Sequence, residues 1–449
     1  MGQKGRCVGP DTFRTKEAQA AVRSGFNEEC YRYESRSFVD SKSGDQGTPS
    51  MSSPSTTYLF DGFRSGRMRF PKGDRQTPSL RWEFTLPSHP PKGSESAPAF
   101  DDEGHIYFGA HDGCFYSLDP SGRLRWMFKT GAKIYSSPAI RDGRIFFASG
   151  DGYLFCFGND GTKVWVYNIC DYFSRIRNKI VRKVLQFKTN ITAYDAQRKK
   201  RWLTKCWSSP NLDDSGTVYI TGYGLGLHAV NAEDGRLLWT FDLGSPRHHL
   251  SGVAMNEHGQ IFVASQRRFL HCLSRNGDRK WSFDSRLCYD TWGNPSIDIE
   301  NEVVCFPMTR KEKEGCLVAL DYRGRARWRT DIPGGLRGSA AISYQDYLVI
   351  GSLNGRLYFI GRKNGQILRE IQLTTAQRGL WTTPSIDPAG YIFVTTKDSR
   401  YSGSLCCLAV DGEVEWRIPI GKALSTPVVG RGGRVYVGSW DGKFLCYQT

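Results

Sequence analysis

Several common sequence signatures are missing from this chain of 449 residues. No run of about 18 apolar residues occurs, which excludes a transmembrane helix. The first residues contain no apolar stretch typical of a secretory signal peptide, so we expect a cytoplasmic protein. There is no CxxC pair and no zinc-finger spacing, so the 13 cysteines indicate reduced, buried thiols rather than a disulfide framework or a metal site. No GxSxG, HExxH or Walker-type phosphate loop is present either.

The chain is basic, and its basic residues are unevenly distributed. It has 61 Lys and Arg against 45 Asp and Glu, a formal net charge of +16. Residues 166–205 contain 11 Lys and Arg against 2 Asp, a net of +9. Residues 1–75 contain 13 basic and 9 acidic residues, a net of +4, so the remainder carries only +3. One short segment is therefore expected to seek an acidic partner, and no specific nucleic-acid binding is predicted.

An internal repeat extends through residues 76–449. The segments Ser96–Trp126, Ser136–Trp165 and Ser208–Trp239 share one template. It begins with Ser-x-Pro and a short apolar stretch and ends with a Gly turn and Trp. The Pro position recurs eight times, with one longer interval that contains the basic segment. This position is occupied by Pro98, Pro138, Pro210, Val253, Pro295, Ala340, Pro384 and Pro427.

Each repeat predicts four short strands, because its segments alternate with period two and are bounded by Gly, Asp and Asn. The last repeat contains only three such strands, and Arg81–Phe84 resembles the missing fourth. We therefore predict an all-β, eight-bladed β-propeller over 76–449 that is closed by an N-terminal strand at 81–87. Residues 166–205 are predicted as one basic helical insertion, and residues 1–75 as a mobile polar arm.

One repeat carries a motif of a known family. Ala229–Trp239 reads AVNAEDGRLLW and resembles the quinoprotein (PQQ)-like β-propeller repeat. That family includes quinoprotein alcohol dehydrogenases and a scaffold lipoprotein of bacterial outer-membrane assembly. The resemblance implies that each repeat Trp docks between neighbouring blades. The sixth repeat has Arg369 and Glu370 instead, so its joint is expected to be weaker. The Trp position is held by Trp82, Trp126, Trp165, Trp239, Trp281, Trp328 and Trp416.

Two features could indicate chemistry, but their repeat positions favour a structural interpretation. Cys406 and Cys407 are adjacent, as in the vicinal disulfides of some quinoprotein dehydrogenases. Cys407, however, occupies the same repeat position as Cys156, where a small inward side chain fits. The acidic turns that begin at Asp101 and Asp213 could offer oxygen ligands to calcium, but Asp and Gly are the ordinary turn residues there. We predict no metal and no cofactor; PQQ with calcium applies only if the chain is a dehydrogenase.

The residues that lie three positions before each Pro position are expected near one mouth of the central channel. Half of the eight are aromatic, which would supply stacking area, and an arginine there suits a carboxylate. The alternative, in which the aromatic rings pack against the neighbouring blade, stays open. The candidate ligand-binding residues are Glu95, Tyr135, Trp207, Trp292, Arg337 and Trp381.

The basic segment has a helical pattern of apolar residues. Phe173, Ile176, Ile180, Val184 and Phe187 are spaced by three or four positions, with Lys and Arg between them. Such a pattern suits an acidic protein or an anionic membrane surface, although the apolar side could instead pack on the propeller rim. The candidate residues for an anionic partner are Arg175, Arg177, Lys179, Arg182 and Lys183.

These observations support two classes of function. The favoured one is a non-catalytic binding or scaffold propeller, which engages a protein or small-molecule ligand at the channel mouth and an anionic partner through the insertion. The alternative is an enzyme on a propeller scaffold, either a quinone-dependent dehydrogenase or a tailoring enzyme that uses the mouth. The fold alone does not decide between them. Neither catalytic residues nor an oligomeric state can be assigned from the sequence.

Overall fold

The computed structural model describes residues 30–32, 68, 77–89, 92–169, 206–222, 226–243, 251–265, 269–286, 291–310 and 313–449. These residues form eight antiparallel sheets, and the first strands of neighbouring sheets contact each other. The prediction of an all-β, eight-bladed propeller is confirmed. Within the described ranges, no helix is long and apolar enough to cross a membrane.

The first four blades follow one another along the chain, after β1 (Cys30–Arg32) and β2 (Ser79–Thr85). Blade one contains β3 (Ala99–Phe100), β4 (Ile106–Gly109), β5 (Cys114–Leu118) and β6 (Leu124–Lys129). Blade two contains β7 (Ala139–Arg141), β8 (Arg144–Ser149), β9 (Tyr153–Gly158) and β10 (Lys163–Asn168). Blade three contains β11 (Asn211–Leu212), β12 (Thr217–Gly222), β13 (Gly226–Asn231) and β14 (Leu237–Phe241). Blade four contains β15 (Ala254–Met255), β16 (Ile261–Ala264), β17 (Phe269–Leu273) and β18 (Arg279–Asp284).

The last four blades complete the ring. Blade five contains β19 (Ser296–Asp298), β20 (Val303–Arg310), β21 (Glu314–Asp321) and β22 (Ala326–Pro333). Blade six contains β23 (Ala341–Ile342), β24 (Tyr347–Gly351), β25 (Arg356–Gly361) and β26 (Ile367–Gln372). Blade seven contains β27 (Ser385–Ile386), β28 (Ile392–Lys397), β29 (Gly403–Leu408) and β30 (Val414–Pro419). Blade eight contains β31 (Val428–Val429), β32 (Arg434–Gly438) and β33 (Lys443–Gln448).

Two segments from the N-terminal part of the chain add strands to these sheets. β2 pairs antiparallel with β33, with Trp82 opposite Cys446, and is the fourth strand of blade eight. β1 pairs with β6 as a fifth strand of blade one. β10 extends to Asn168, three residues into the predicted insertion 166–205. Residues 170–205, on which the helical prediction falls, lie outside the described residues.

The Ser-x-Pro element of blade two joins this blade to itself and to the preceding one. The Pro position directly precedes the first strand of every blade. The Ser136 hydroxyl donates to the Ala148 carbonyl at 2.8 Å and accepts from the Ala148 N–H at 3.0 Å, which extends the ladder between the first two strands. The next residue, Ser137, accepts from the Ala97 N–H of the preceding blade at 2.8 Å. In blade two, two small side chains therefore hold the start of the inner strand at a fixed place beside the channel.

The repeat Trp connects neighbouring blades, as the family resemblance implies. Trp126 is 2% exposed, and its indole N–H donates to the Asn159 carbonyl of blade two at 3.0 Å. The ring covers Gly161 in the same turn, whose φ is +86°, and a Cβ there would lie 2.8 Å from the indole. Only glycine suits both the conformation and the close approach. The same N–H···O=C contact links Trp82 to Pro120, Trp165 to Ala232, Trp239 to Arg275, Trp281 to Tyr322 and Trp328 to Arg362.

The joint between blades six and seven is built differently. Arg369 occupies the Trp position, opposite Phe359 rather than a small residue. Arg369 and Ile371 lie over Gly412, the turn glycine of blade seven. The carbonyl of Val410, which a Trp would otherwise engage, accepts a hydrogen bond from the Tyr347 hydroxyl at 3.0 Å. This joint therefore keeps its hydrogen bond but lacks the large ring, and its lower stability stays a prediction.

Trp416, at the joint between blades seven and eight, has the ring contact without the hydrogen bond. It is 4% exposed, and its indole nitrogen has no hydrogen-bond partner among the described residues. In the other Trp joints, the acceptor carbonyl belongs to the next blade. It lies three residues after the third-strand residue that pairs with the Trp position of that blade's own fourth strand. In blade eight this position is Thr449, whose carbonyl accepts from the Gln448 side chain at 3.1 Å. Blade eight has no turn there because its fourth strand is β2.

Met68 fixes one point of the segment 1–75 to the propeller. Its side chain is 2% exposed and packs in the cluster of Trp416 and Val429. Its N–H donates to the Ile386 carbonyl at 2.7 Å, and its carbonyl accepts from the Tyr344 hydroxyl at 3.3 Å. Met68 thus links blades six, seven and eight, although it lies within the segment that the sequence predicts as a mobile arm.

The two joints predict different responses to the same substitution. Trp328→Phe removes the donor to the buried Arg362 carbonyl and should lower the free energy of unfolding by about 1–3 kcal/mol. Trp416→Phe removes a buried N–H that has no partner among the described residues and should cost clearly less. Both side chains are nearly buried, so denaturant unfolding of the two variants compares them directly. Equal losses would contradict this account of the Trp joint.

Met68→Ala should lower the free energy of unfolding by about 2–5 kcal/mol, because it leaves a cavity between blades seven and eight. Met68→Leu preserves most of the volume and serves as the control. Chemical denaturation measures both. A Met68→Ala variant as stable as the wild type would show that this contact does not hold the blades together.

Candidate functional site

A cavity of about 330 Å³ lies at one mouth of the central channel. All eight blades contribute to its lining, through the connections that lead from each fourth strand to the next first strand. The residue three positions before the Pro position lines the cavity in seven blades; that of blade four, residue 250, lies outside the described residues. The structure therefore brings all six predicted residues into one cavity, namely Glu95, Tyr135, Trp207, Trp292, Arg337 and Trp381.

On one side of the cavity an arginine is stacked between two indole rings. The guanidinium carbon of Arg337 lies 3.6 Å from the ring centre of Trp292 and 4.8 Å from that of Trp381. Arg378 lies 5.7 Å from the Trp381 ring centre. Cation–π stacking uses the faces of the guanidinium, whereas its N–H groups lie in the plane and point from its edges. The stack therefore orients Arg337 for hydrogen bonding in that plane.

The other side of the cavity is an arc of aromatic rings. The ring centres of Tyr135 and Trp207 are 5.4 Å apart, and those of Tyr135 and His111 are 4.7 Å apart. Trp440 follows at 5.5 Å from His111, with the Lys422 ammonium 3.6 Å from the centre of the Trp440 ring. Tyr135 and Trp207 come from adjacent blades, pack on each other and also line the cavity, whereas His111 and Trp440 extend the arc beyond the lining residues.

Glu95 is the carboxyl group of the cavity. Its Oε1 lies 3.5 Å from His111 Nε2, and its side chain is 23% exposed. Burial raises the pKa of Glu95 to about 7, although the charges of Lys133 and Lys422 oppose the shift. Burial, helped by the charge of Lys133, lowers the pKa of His111 to about 4. Near neutral pH the imidazole is therefore uncharged, and the carboxyl changes its ionisation.

Four residues that surround Glu95 are not among the predicted ones: His111, Lys133, Lys422 and Trp440. His111 and Trp440 precede Asp-Gly in turns between second and third strands, where blade two has Gly150. This departure from the repeat could have indicated His111 and Trp440 from the sequence. The Trp and Arg residues three positions before the Pro position were found by the same kind of departure. The two lysines have no such signal, because exposed lysines are common in turns.

The adjacent cysteines and the acidic turns have structural roles. Cys406 and Cys407 are buried thiols that pack into different clusters on opposite faces of the sheet. Burial raises the pKa of Cys406 to about 12, so it stays a thiol. Asp101 accepts hydrogen bonds from the N–H groups of Glu103 and His105 at 3.1 and 2.9 Å, which closes the turn. Asp213 closes the corresponding turn of blade three in the same way.

The cavity residues do not fit a quinone with calcium. Calcium takes about six to eight oxygen ligands, several of them carboxylates. The cavity lining has one carboxyl group, Glu95, whose pKa is raised and which lies near two lysines. Elsewhere in the described ranges, no three His, Cys, Asp or Glu side chains are placed to share a metal ion. The donor set therefore gives no support to quinone chemistry at this mouth.

The predicted anionic-partner residues, from Arg175 to Lys183, lie outside the described residues. The two ends of their segment are placed, however. The Ile169 N–H donates to the Gly152 carbonyl at 3.0 Å, and the Cys206 thiol lies 3.3 Å from the Thr221 carbonyl. Both contacts are near the ends of second strands, on the side of the ring that carries the cavity. The basic segment is therefore attached beside the mouth.

The raised pKa of Glu95 predicts a pH-dependent stability. Between pH 4.5 and about 7 the folded protein binds this proton more readily than the unfolded chain does. The stabilisation of the folded state by this proton is complete below this pH range and is lost as the pH rises through it. At pH 8, Glu95→Gln should unfold at a higher temperature than the wild type, and the difference should narrow at pH 5. Thermal melts measure these unfolding temperatures, and the exposed Glu233→Gln variant is the control. A difference between Glu95→Gln and the wild type that does not change with pH would contradict the prediction.

Comparisons with known sequences point to one family. A family model described as outer membrane protein assembly factor BamB matches residues 73–172 and 187–399. The outer membrane protein assembly factor BamB of Shewanella oneidensis is 24% identical over 319 residues. The match covers 63% of this chain and 64% of that protein, so the chain spans less than two thirds of the length of this relative.

Comparisons with solved structures show the fold. The crystal structure of BamB from Moraxella catarrhalis has a TM-score of 0.62 at 15% identity, and covers 83% of this chain and 100% of that one. A europium-containing methanol dehydrogenase has a TM-score of 0.59 at 12% identity, and covers 86% and 91%. The computationally designed Ika8 protein also has a TM-score of 0.59 at 12% identity, with 81% and 98% covered. An outer-membrane assembly factor, a dehydrogenase and a designed protein share this architecture, so function must be argued from the cavity.

Proposed function

Because this chain belongs to the family described as outer membrane protein assembly factor BamB, we propose that it is a non-catalytic scaffold that binds a protein partner at the channel mouth. The convergence of Tyr135, Trp207, Trp292, Arg337 and Trp381 in one cavity is the observation that carries this proposal. Trp, Tyr and Arg are the residues that contribute most to protein–protein binding energy. Here they are half-buried around a concave centre, which is where such residues act.

The two sides of the cavity suggest how a partner segment is held. Arg337 is stacked between two indole rings, and its in-plane N–H groups suit a carboxylate of the partner. Tyr135 and Trp207 offer ring faces to an apolar side chain. Thr291 also lines the cavity, and its hydroxyl has no hydrogen-bond partner among the described residues. An extended segment with one acidic and one apolar side chain would satisfy both sides.

The basic segment would add a second contact to the same partner. Its ends are attached beside the mouth, and Arg175, Arg177, Lys179, Arg182 and Lys183 supply part of its +9 charge. We propose that these side chains engage acidic groups of the partner around the cavity. This contact would be weakened by salt, because exposed charges are screened within about 8 Å at physiological ionic strength.

Site-specific photo-crosslinking tests the proposal. A photoreactive amino acid at Trp207 or Trp381 should capture one defined protein in the source cells. The same amino acid at Val414, an exposed position of an outer strand, should not capture it. Equal capture from Val414, or none from the mouth positions, would place the partner elsewhere on the propeller.

With the captured protein purified, Trp292→Ala and Trp381→Ala should weaken its binding by about 1–2 kcal/mol or more, with little change in melting temperature. The physical reason is that both side chains border the cavity and stack on Arg337. Trp126→Ala, at a blade joint, is the matched control, which should lower stability and not contact the partner. Calorimetric titration and thermal melts measure both effects. If the mouth variants lose several kcal/mol of stability and bind unchanged, they are blade packing.

A further inference from the structure

The cavity at the channel mouth is enclosed on its sides by the ring. Each of the eight blades contributes at least one residue to its lining. Its volume of about 330 Å³ is near the lower limit of the range of about 300–1,000 Å³ that is typical of ligand pockets. The cavity therefore has room for a few side chains of a partner but not for a folded element, and a partner segment can enter it only along the channel axis.

The opposite end of the channel is partly occupied by the chain itself. β27 runs away from the mouth and ends at Ile386, and the next residue, Asp387, donates its N–H to the Tyr391 carbonyl of the same blade at 3.0 Å. Because alternate residues of an antiparallel strand bond to its neighbour, the Ile386 carbonyl points to the channel. It accepts from the Met68 N–H at 2.7 Å, and the Val429 N–H of β31 donates to the Met68 sulfur at 3.0 Å. A segment that enters at the mouth therefore has no open passage beside blades seven and eight.

The groups around the cavity favour a carboxylate over an ammonium group. Arg337, which is held between two indole rings, always carries its positive charge. Lys133 and Lys422 lie close enough to Glu95 for their charges to oppose the rise of its pKa. Burial nevertheless raises the pKa of Glu95 to about 7, so this carboxyl is only partly ionised near neutral pH. An N-terminus or a lysine of the partner would be repelled by these cations, whereas a carboxylate would be attracted.

We propose that the cavity receives the C-terminal end of the partner protein, with the terminal carboxylate at Arg337 and an apolar side chain of the last residues against Tyr135 and Trp207. The inference rests on the proposed scaffold function and specifies which part of the partner is bound. A chain end can enter the enclosed cavity and stop there, whereas an internal segment must turn back within about 330 Å³ to leave by the same opening. A C-terminal residue also presents an acidic and an apolar group together, which the two sides of the cavity require. Capture of a terminal carboxylate is a recurring mode of peptide recognition.

Four small probes test this inference on the full chain by isothermal titration calorimetry. They are N-acetylated Gly-Gly-Leu with a free carboxylate, the same peptide with a C-terminal amide, N-acetylated Gly-Glu-Gly-Leu amide, in which the acidic group is internal, and N-acetylleucine. The peptide with the free carboxylate should bind at least about tenfold more tightly than each of the other three, because a charged hydrogen bond to the guanidinium is lost or the peptide contacts are missing.

Several results would overturn the inference. Equal affinity for the free carboxylate and the amide, or no binding of the free carboxylate at millimolar concentration, would show that no terminus is recognised. Equally tight binding of the internal glutamate would show that any acidic group of a segment suffices. Equally tight binding of N-acetylleucine would assign the cavity to a small carboxylic acid instead of a protein.

Matched variants test the contact with Arg337. Arg337→Gln should reduce the preference for the free carboxylate over the amide to within about twofold, and Arg337→Lys should retain part of it because the charge remains. Arg123→Gln removes the same charge from a side chain that is 84% exposed in a turn of blade one, and it should keep the wild-type preference. Thermal melts establish that each variant is folded, and the comparison of probes on the wild type does not depend on them. A full preference in folded Arg337→Gln would contradict the proposed contact.

The protein captured by photo-crosslinking separates this inference from the proposed function. A Gly-Ser tail added after its last residue should weaken its binding about tenfold or more, because the carboxylate would lose the apolar side chain beside it. If the tail has no effect while Trp381→Ala weakens binding, the scaffold function stands and the capture of a C-terminus falls. If neither change matters, the proposed function falls as well.

Discussion

The contact on which the propeller depends is that of a Trp ring against a turn glycine of the next blade. Each ring takes its place because the residue opposite it in the sheet is small, as with Cys156 opposite Trp165. The glycine beyond it admits the ring, and the neighbouring carbonyl takes the indole N–H. Three short sequence features, a small residue, a Gly and a Trp, thus set the angle between two sheets. Repeated around the ring, the same angle brings the eighth blade next to the first.

This regular frame explains how unlike side chains meet at the mouth. The residue three positions before the Pro position lines the cavity in seven of the blades, whatever its side chain is. Glu95, Tyr135 and Arg337 therefore face one another although they are far apart in sequence. Stability comes from the positions that obey the repeat, and recognition comes from those that depart from it. A propeller of this kind can change its ligand without altering its joints.

Much of this arrangement could be predicted from the sequence, since the same pattern of strands and turns recurs eight times. The Pro position precedes every first strand, and the positions three residues earlier line the cavity in seven blades, the eighth (residue 250) lying outside the described residues. Other features have no repeat behind them. Met68 lies in a segment without periodicity, so no local sequence pattern predicts that it is buried between blades. The contact of Glu95 with His111 joins two different turns, and its raised pKa depends on burial that a linear pattern does not contain. The stacking of Arg337 between two rings likewise depends on the spacing of three blades.

The composition of the eighth blade has a consequence for how the chain folds. Its sheet unites β2 with β33, and the ion pair of Glu83 with Lys443 closes a loop of 360 residues. Blades one to seven are made of sequence neighbours and can form as the chain leaves the ribosome, at about 5–20 residues per second. β2 leaves before all seven of these blades have been made, and it must wait for β33. Until then its edge is open to pairing with another chain, which makes ring closure the step at which this protein is most exposed to misassembly and to the help of chaperones.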